Sequence, residues 1–539
     1  MCLEQHVINS ADGYIGGVNH TRPEDIDAIV AAAVADGRGH LVVHFHGGLV
    51  NRAEAEQKAR AQLAGNVYTP TAETGGWPVF YVWESGAWEV LRNRLDTLGD
   101  EPVFKNVLRK LAQYAVEKSS KGHAHVWAAA PTVYGACREE VQQAFNTLWD
   151  ANARWEDEGK PALKALDSKV DAEVLGAVDE FDVEAMREEL AGDEEFQQAL
   201  ATLPVPGVGA RFGLMAVPAR HSEFSRQAAA VFLRNDGPEL APSAWGWHPV
   251  LLAGVARFLY RVLTQVAARY RRGRDHGLHA TCMEEALRAF EIGGTPVNEW
   301  GEALQWNLMK QATAQAFGDD PDRHAGTALL ARLRPVTGAD KPIKRITLVG
   351  HSTGSIYAAH WLARSAGYLP QDFMLDVIFL APAITHELWA RTLWEHGQRI
   401  GNFRMFAMQD ASEREDQVWG RDEQMGQDWH RFIYPSSLLY LVSGALESRT
   451  GADGVVREEA DVPLLGLQRF HAGREVYPAA EFAPVAELRA WLDEEGQRRV
   501  VWTPTGPRDD GMECGVIDHS GFNDVQVYDC LRHIMHTGF

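Results

Sequence analysis

A chain of 539 residues with 45% hydrophobic and 23% charged side chains is ordinary in composition for a globular protein and long enough to bury a large core. The formal net charge of −22, from 52 basic and 74 acidic residues, sets the surface against phosphate backbones and excludes a general nucleic-acid binder. Five cysteines (Cys2, Cys137, Cys282, Cys514, Cys530), odd in number and scattered, are expected to be free thiols in a reducing compartment, not a disulfide framework or a zinc knuckle.

The opening Met1-Cys2-Leu3-Glu4-Gln5-His6 carries neither a basic nor an apolar region, so no signal peptide is expected. No uninterrupted run of about 18 apolar residues marks a transmembrane helix, and the expected location is cytoplasmic. The first element is the β-type run His40-Leu41-Val42-Val43-His44-Phe45-His46, which ends at Gly47-Gly48. A polar helix is predicted from about Arg52 to Leu63, then a strand over Pro78 to Trp83.

Residues 87–340 read as mostly helical. Residues 151–200 hold fifteen Asp/Glu against five Lys/Arg, the pattern of a solvated helical face. Pro249 to Arg272 has a broad apolar side built from Val250, Leu251, Leu252, Val255, Phe258, Leu259, Val262, Leu263 and Val266. Such a helix either packs the segment together or covers a pocket as a lid, with contact to a lipid surface. His276 and His279 follow, at a pocket mouth or a hinge. Val297 to Phe317 repeats the apolar pattern with Trp300, Leu304, Leu308, Met309 and Ala312.

The alternation then restarts. Strands are predicted over Ile343–Val349, Asp376–Leu380, Phe403–Met408 and Arg499–Trp502. Helices are predicted over Ser355–Ala366, His386–Glu395, Ser436–Glu447 (Ser436 as cap) and Asp524–Met535. Strand–helix alternation implies an α/β fold, a mostly parallel sheet with helices on both faces, interrupted by a large helical insertion. The expected units are residues 1–86, 87–340 and 341–539.

The chemistry concentrates in Gly350-His351-Ser352-Thr353-Gly354, between a predicted strand and a predicted helix. A sharp strand–turn–helix leaves no room for side chains beside the turn, so glycines flank the serine and its hydroxyl is held near the helix N-terminus. Serine is a weak nucleophile that needs a base, and the base needs an orienting carboxylate. Asp410 follows the strand ending at Met408, with Glu413 and Asp416 in the same loop. The base candidate is His519 in Asp518-His519-Ser520-Gly521-Phe522; His533 and His536 fall inside the last helix, and His471 in an unassigned loop. His44 and His46 alternate along a strand without a third ligand at metal spacing, so no metal site is expected.

Ile346 to Ser355 resembles the lipase and esterase branch of the α/β-hydrolase superfamily, a likeness that extends over roughly residues 1–86 and 341–539. The resemblance implies a hydrolase core whose fourth and fifth strands are separated by a helical cap. It implies a triad in the order Ser352, Asp410, His519, an elbow formed with Gly350, His351 and Gly354, and an oxyanion hole. The oxyanion donors implied are the Thr353 N–H and Gly47 or Gly48 of His46-Gly47-Gly48-Leu49, which has two glycines where one subfamily has three. The activity implied is cofactor-free cleavage of a small-molecule or lipid carboxylic ester through an acyl-enzyme. The alternative is a regulated or catalytically silent hydrolase-fold effector, a scaffold whose cap binds a partner. Nothing in the sequence selects a substrate or sets the oligomeric state.

Overall fold

The apolar runs of the sequence become strands because β-branched and aromatic side chains fit a sheet that is buried on both faces. A computed structural model describes the chain except residues 1–2, 17–19, 49, 72, 85–97, 99–100, 122–130, 151–154, 206–221, 235–247, 293–305, 422–429, 448, 451–455, 458–459, 473–475, 507, 509–511 and 524. Seven strands form one sheet: β1 (Val7–Ala11), β2 (His40–Phe45), β3 (Trp77–Glu84), β4 (Arg345–His351), β5 (Leu375–Leu380), β6 (Ile400–Met408) and β7 (Val500–Thr503). Their order is β1-β3-β2-β4-β5-β6-β7, every pairing is parallel, and β2 and β5 are buried along their whole length. The expected α/β class is therefore present.

Two features of this sheet position the site. Chain order reverses between β2 and β4, because β2 crosses over to β3 on one side and β4 to β5 on the other. Connections that leave in opposite directions open a crevice at the carboxyl ends of the two central strands. The register is level as well: His40 lies opposite Arg345 and Phe45 opposite Gly350, so the loops after β2 and β4 emerge side by side.

Between β3 and β4 the described residues are mostly helical. The helix His248–Arg271 is long and apolar enough to cross a bilayer, but Leu251, Val255, Phe258, Leu259, Leu263 and Val266 are buried in contact with neighbouring helices. Of the two readings of this helix, packing the segment together is the one these contacts support. The acidic stretch forms short helices, and three of its carboxylates are caps: Asp171, Asp182 and Asp193 accept N–H bonds from Val174, Ala185 and Phe196 at 2.9–3.0 Å. The predicted helix over 297–317 is seen as Trp306–Gln315; Val297 to Leu304, with Trp300, lie outside the described residues.

The helical segment is joined to the C-terminal part by a buried polar cluster. Its centre is His276, whose Nδ1 lies 2.8 Å from Glu284 Oε1 and whose Nε2 lies 3.1 Å from Asp461 Oδ1. Arg269 pairs with Glu284 and Glu285, Tyr434 donates to Glu284, and Tyr477 donates to Asp461 at 2.6 Å. Arg469 donates to the Tyr477 hydroxyl at 2.9 Å and to the carbonyls of Asp275 and Gly273. His276 is thus buried at the junction between the helical segment and the C-terminal part. His279 is buried beside Phe145 and Trp149.

Candidate active site

At the carboxyl end of β4 the chain turns sharply into the helix Gly354–Ser365. Ser352 occupies the turn with φ = +50°, a left-handed backbone conformation that a side chain resists. The strain is held by hydrogen bonds on both sides. The Ser352 N–H donates to Leu380 O at 2.8 Å, and its carbonyl accepts from the Ser355 hydroxyl, the Ser355 N–H and the Ala383 N–H at 2.6–3.1 Å. The flanking glycines are sterically required. A Cβ on Gly350 would fall 2.7 Å from Gly354 O, and one on Gly354 would fall 2.2 Å from Phe45 O.

His519 opens a short 3-10 turn, His519–Asn523, that follows the segment after β7. Its Nε2 lies 3.2 Å from Ser352 Oγ, across 167 residues of sequence. The ring is buried, and burial draws its pKa down to about 4; the charge of Asp518 opposes this and that of Lys58 adds to it. At neutral pH the imidazole is therefore uncharged. In the tautomer protonated at Nδ1, Nε2 accepts the serine hydroxyl, the arrangement a general base requires.

The level register places the other expected loop beside the serine. A Cβ on Gly47 would lie 3.2 Å from Ser352 Cβ and 3.0 Å from His351 Nδ1; one on Gly48 would lie 2.9 Å from Thr353 Oγ1 and 2.7 Å from Met309 Sδ. The loop is anchored by His46, whose Nε2 accepts the Trp83 N–H at 3.2 Å and whose ring stacks on Trp83. His44 points elsewhere, 2.6 Å from the Tyr68 hydroxyl, and among the described residues no group of three or more His, Cys, Asp or Glu could hold a metal.

The expected acid is placed differently. Asp410 begins the helix Asp410–Glu415, and its carboxylate accepts the Tyr440 hydroxyl and pairs with Arg414 at 3.2 Å. It is not hydrogen-bonded to His519, whose Nδ1 is buried without a hydrogen-bond partner among the described residues. Asp416, three residues beyond Glu413, is the carboxylate that touches the base: its Oδ2 accepts the His519 backbone N–H at 3.0 Å. Burial raises the Asp416 pKa to about 6, opposed by that N–H and by the N–H of Gln417. Glu413 is fully buried and its carboxyl is pushed well above the usual carboxylate range, again by burial.

Around Ser352 several buried polar atoms lack hydrogen-bond partners among the described residues: both ring nitrogens of His351, Thr353 Oγ1 and His519 Nδ1. Buried polar atoms are normally paired, so these can bond to an incoming polar group beside Ser352. Ser352 itself is 2% exposed, with Met309 of the helix Trp306–Gln315 lying over Gly48.

The structure brings the predicted Ser352, His519 and Gly47-Gly48 loop together, and sets beside them three residues to which sequence reasoning assigned no role. These are Asp416 as the contact to His519, Met309 as the cover, and Lys58, half-buried on the helix Arg52–Ala64, whose positive charge acts on His46, His351 and His519. Met309 carried a signal in its place in an apolar stripe, and Asp416 in its place in the Asp410 loop; Lys58 carried none. No family model matches the chain, and comparisons with curated proteins and with solved structures find none similar to it.

Proposed function

We propose that the chain is a serine hydrolase with a hydrolase-type core, cleaving a carboxylic ester of a small molecule or lipid through an acyl-enzyme on Ser352. One observation carries this reading: a serine held at φ = +50° on a strand-to-helix turn, at the reversal point of a parallel sheet, with Oγ 3.2 Å from the Nε2 of a buried neutral histidine. Supporting it are the glycine loop Gly47-Gly48 beside the serine and the unpaired polar atoms around it.

In this mechanism His519 Nε2 takes the proton of Ser352 Oγ as the oxygen attacks the ester carbonyl. The tetrahedral oxyanion forms between the Thr353 N–H, at the start of the helix Gly354–Ser365, and the backbone of Gly47 or Gly48. The imidazolium returns its proton to the leaving alcohol, and water attacks the acyl-enzyme by the same route. Asp416 positions the base through its backbone N–H. Asp410 is assigned to the Tyr440–Arg414 bridge that supports this loop.

The test is labelling by a fluorescent fluorophosphonate. The parent labels, Ser352→Ala does not, and His519→Ala labels about 10²–10⁴-fold more slowly. Asp416→Asn slows labelling more than Asp410→Asn does. The covered serine favours a second reading, a regulated hydrolase-fold effector that opens on binding a partner. A folded parent that resists labelling, but gains it after Met309→Ala, selects that reading.

A further inference from the structure

The segment between β7 and His519 carries a feature that the proposed reaction does not use. From Met512 to Ile517 it alternates strictly, with Met512, Cys514 and Val516 inward and Glu513, Gly515 and Ile517 outward. It is an extended layer one residue thick, lying on the closing helix Val525–Thr537. Cys514 is pinned by its backbone: its N–H donates to Thr505 Oγ1 and its carbonyl accepts the Thr505 N–H, both at 2.8 Å. Thr505 lies two residues past the end of β7.

Cys514 meets the closing helix at Cys530. Cys530 Sγ donates to the carbonyl of Glu513, the residue before Cys514, at 3.2 Å. Cys514 Sγ lies 4.0 Å from the carbonyl of Gln526, one helical turn before Cys530. Cys530 Sγ thus faces the residue before Cys514, Cys514 Sγ faces the helical turn before Cys530, and the Cys530 side chain holds the Cys514 thiol below its usual pKa. All three free thiols are buried; at Cys282, in the helical segment, burial drives the thiol pKa the other way, and what sets Cys514 apart is the Cys530 side chain beside it. A disulfide draws its sulfurs to about 2.05 Å, closer than any hydrogen-bonded thiol pair. Forming it would pull the Cys514 strand toward the helix, and His519 follows Cys514 by five residues.

We propose that Cys514 and Cys530 are a reversible dithiol–disulfide couple that, when oxidised by a peroxide, fastens the His519 segment to the closing helix and slows the Ser352–His519 pair. The Cys514 thiolate attacks one peroxide oxygen, giving a sulfenic acid and releasing hydroxide, which takes up the proton the thiol gave up. The Cys530 thiol then attacks that sulfur and expels water. Both sulfurs are oxidised by one electron each, and hydrogen peroxide is reduced to two waters. Reduction by a dithiol reverses the bond. The regulatory half of this proposal rests on the hydrolase reading; the bond itself does not.

The experiment treats the full chain with hydrogen peroxide, alkylates the remaining thiols, and digests without reduction for mass spectrometry. A peptide pair linking Cys514 to Cys530, lost on treatment with dithiothreitol, is the expected result. In the same samples fluorophosphonate labelling falls about tenfold or more on oxidation and recovers on reduction, since small misplacements of a catalytic group are costly. In Cys514→Ser and Cys530→Ser, labelling no longer responds to peroxide. A folded parent that yields sulfinic acids or other pairings, without the 514–530 link, overturns the couple. The link with unchanged labelling overturns its control of the site. A reduced parent that never labels removes the hydrolase reading and the control with it, while the linked peptide still decides the couple.

Discussion

Ser352 shows how a residue's conformation is set by its neighbours' lack of side chains. Its φ of +50° is tolerated because Gly354 passes against Phe45 O, where a Cβ would stand at 2.2 Å, a contact no rotamer change relieves. Gly354→Ala is therefore expected to lower stability by about 1–3 kcal/mol or more, as overpacking does, read as a fall in the urea midpoint. Gly47→Ala should separate function from folding, because its Cβ meets Ser352 Cβ at 3.2 Å beside the reacting atoms rather than backbone in the core. A near-parent urea midpoint with labelling reduced about tenfold or more is expected; unchanged labelling would place the oxyanion elsewhere. At this scale the meeting of Ser352 and His519 was legible because each is marked by an element boundary. The carboxylate that contacts His519 was not. Asp410, Glu413 and Asp416 share one short stretch, and which reaches the base depends on where a helix starts and on distant partners, Tyr440 and Arg414 for Asp410.

Among the elements, the strands were read best, since their apolar runs are dictated by burial on two faces: the expected 376–380 is Leu375–Leu380, and 403–408 is the inner part of Ile400–Met408. β1 escaped notice because Asn9 and Ser10 interrupt a run of only five residues at the sheet edge, where the Asn9 N–H is satisfied by the Thr21 hydroxyl at 2.7 Å. The helix expected over Ser436–Glu447 is Leu438–Leu441 continuing as a π turn to Leu446, and its cap is Ser437, which accepts the Tyr440 N–H. What pattern could not reveal is the join between helices and sheet, because buried ion pairs leave no periodic mark. Arg269, with Glu284 and Glu285, lies at that join. Arg269→Met should cost about 3–5 kcal/mol by stranding two buried carboxylates. The double change Arg269→Met with Glu284→Leu should cost less than the sum of the two single changes, and strict additivity of urea midpoints would mean that the charges act independently.

For the whole molecule, the consequence of so many buried imidazoles is acid sensitivity. Burial draws His40 and His44 down to about 3 and His46, His279, His360, His471 and His519 to about 4. The unfolded chain protonates these groups near pH 6.5, so between about pH 6.5 and 4 it binds more protons than the folded chain, and stability falls as pH falls. Asp167, Asp416, Glu284, Glu285 and Glu413, all raised by burial, work in the opposite sense but are five carboxyls against eleven imidazoles once His6, His276, His351 and His386, lowered likewise, are counted. The imidazoles outnumber the carboxyls, so the net effect near pH 5 is a loss of stability as pH falls. Urea midpoints at pH 7.5 and 5.0 should differ sharply, and equal midpoints would show that these imidazoles titrate normally in the folded chain. The insertion between β3 and β4 has a consequence of another kind. β2 and β4, whose loops meet at Ser352, are made about 300 residues apart. On a ribosome adding about 5–20 residues per second, the edge of β2 stays unpaired for roughly 15–60 seconds, while the helices in between, built on local contacts, can fold. A nascent chain therefore carries an open strand edge and lacks Ser352 until late in synthesis, and its need for a chaperone should be greatest in that interval.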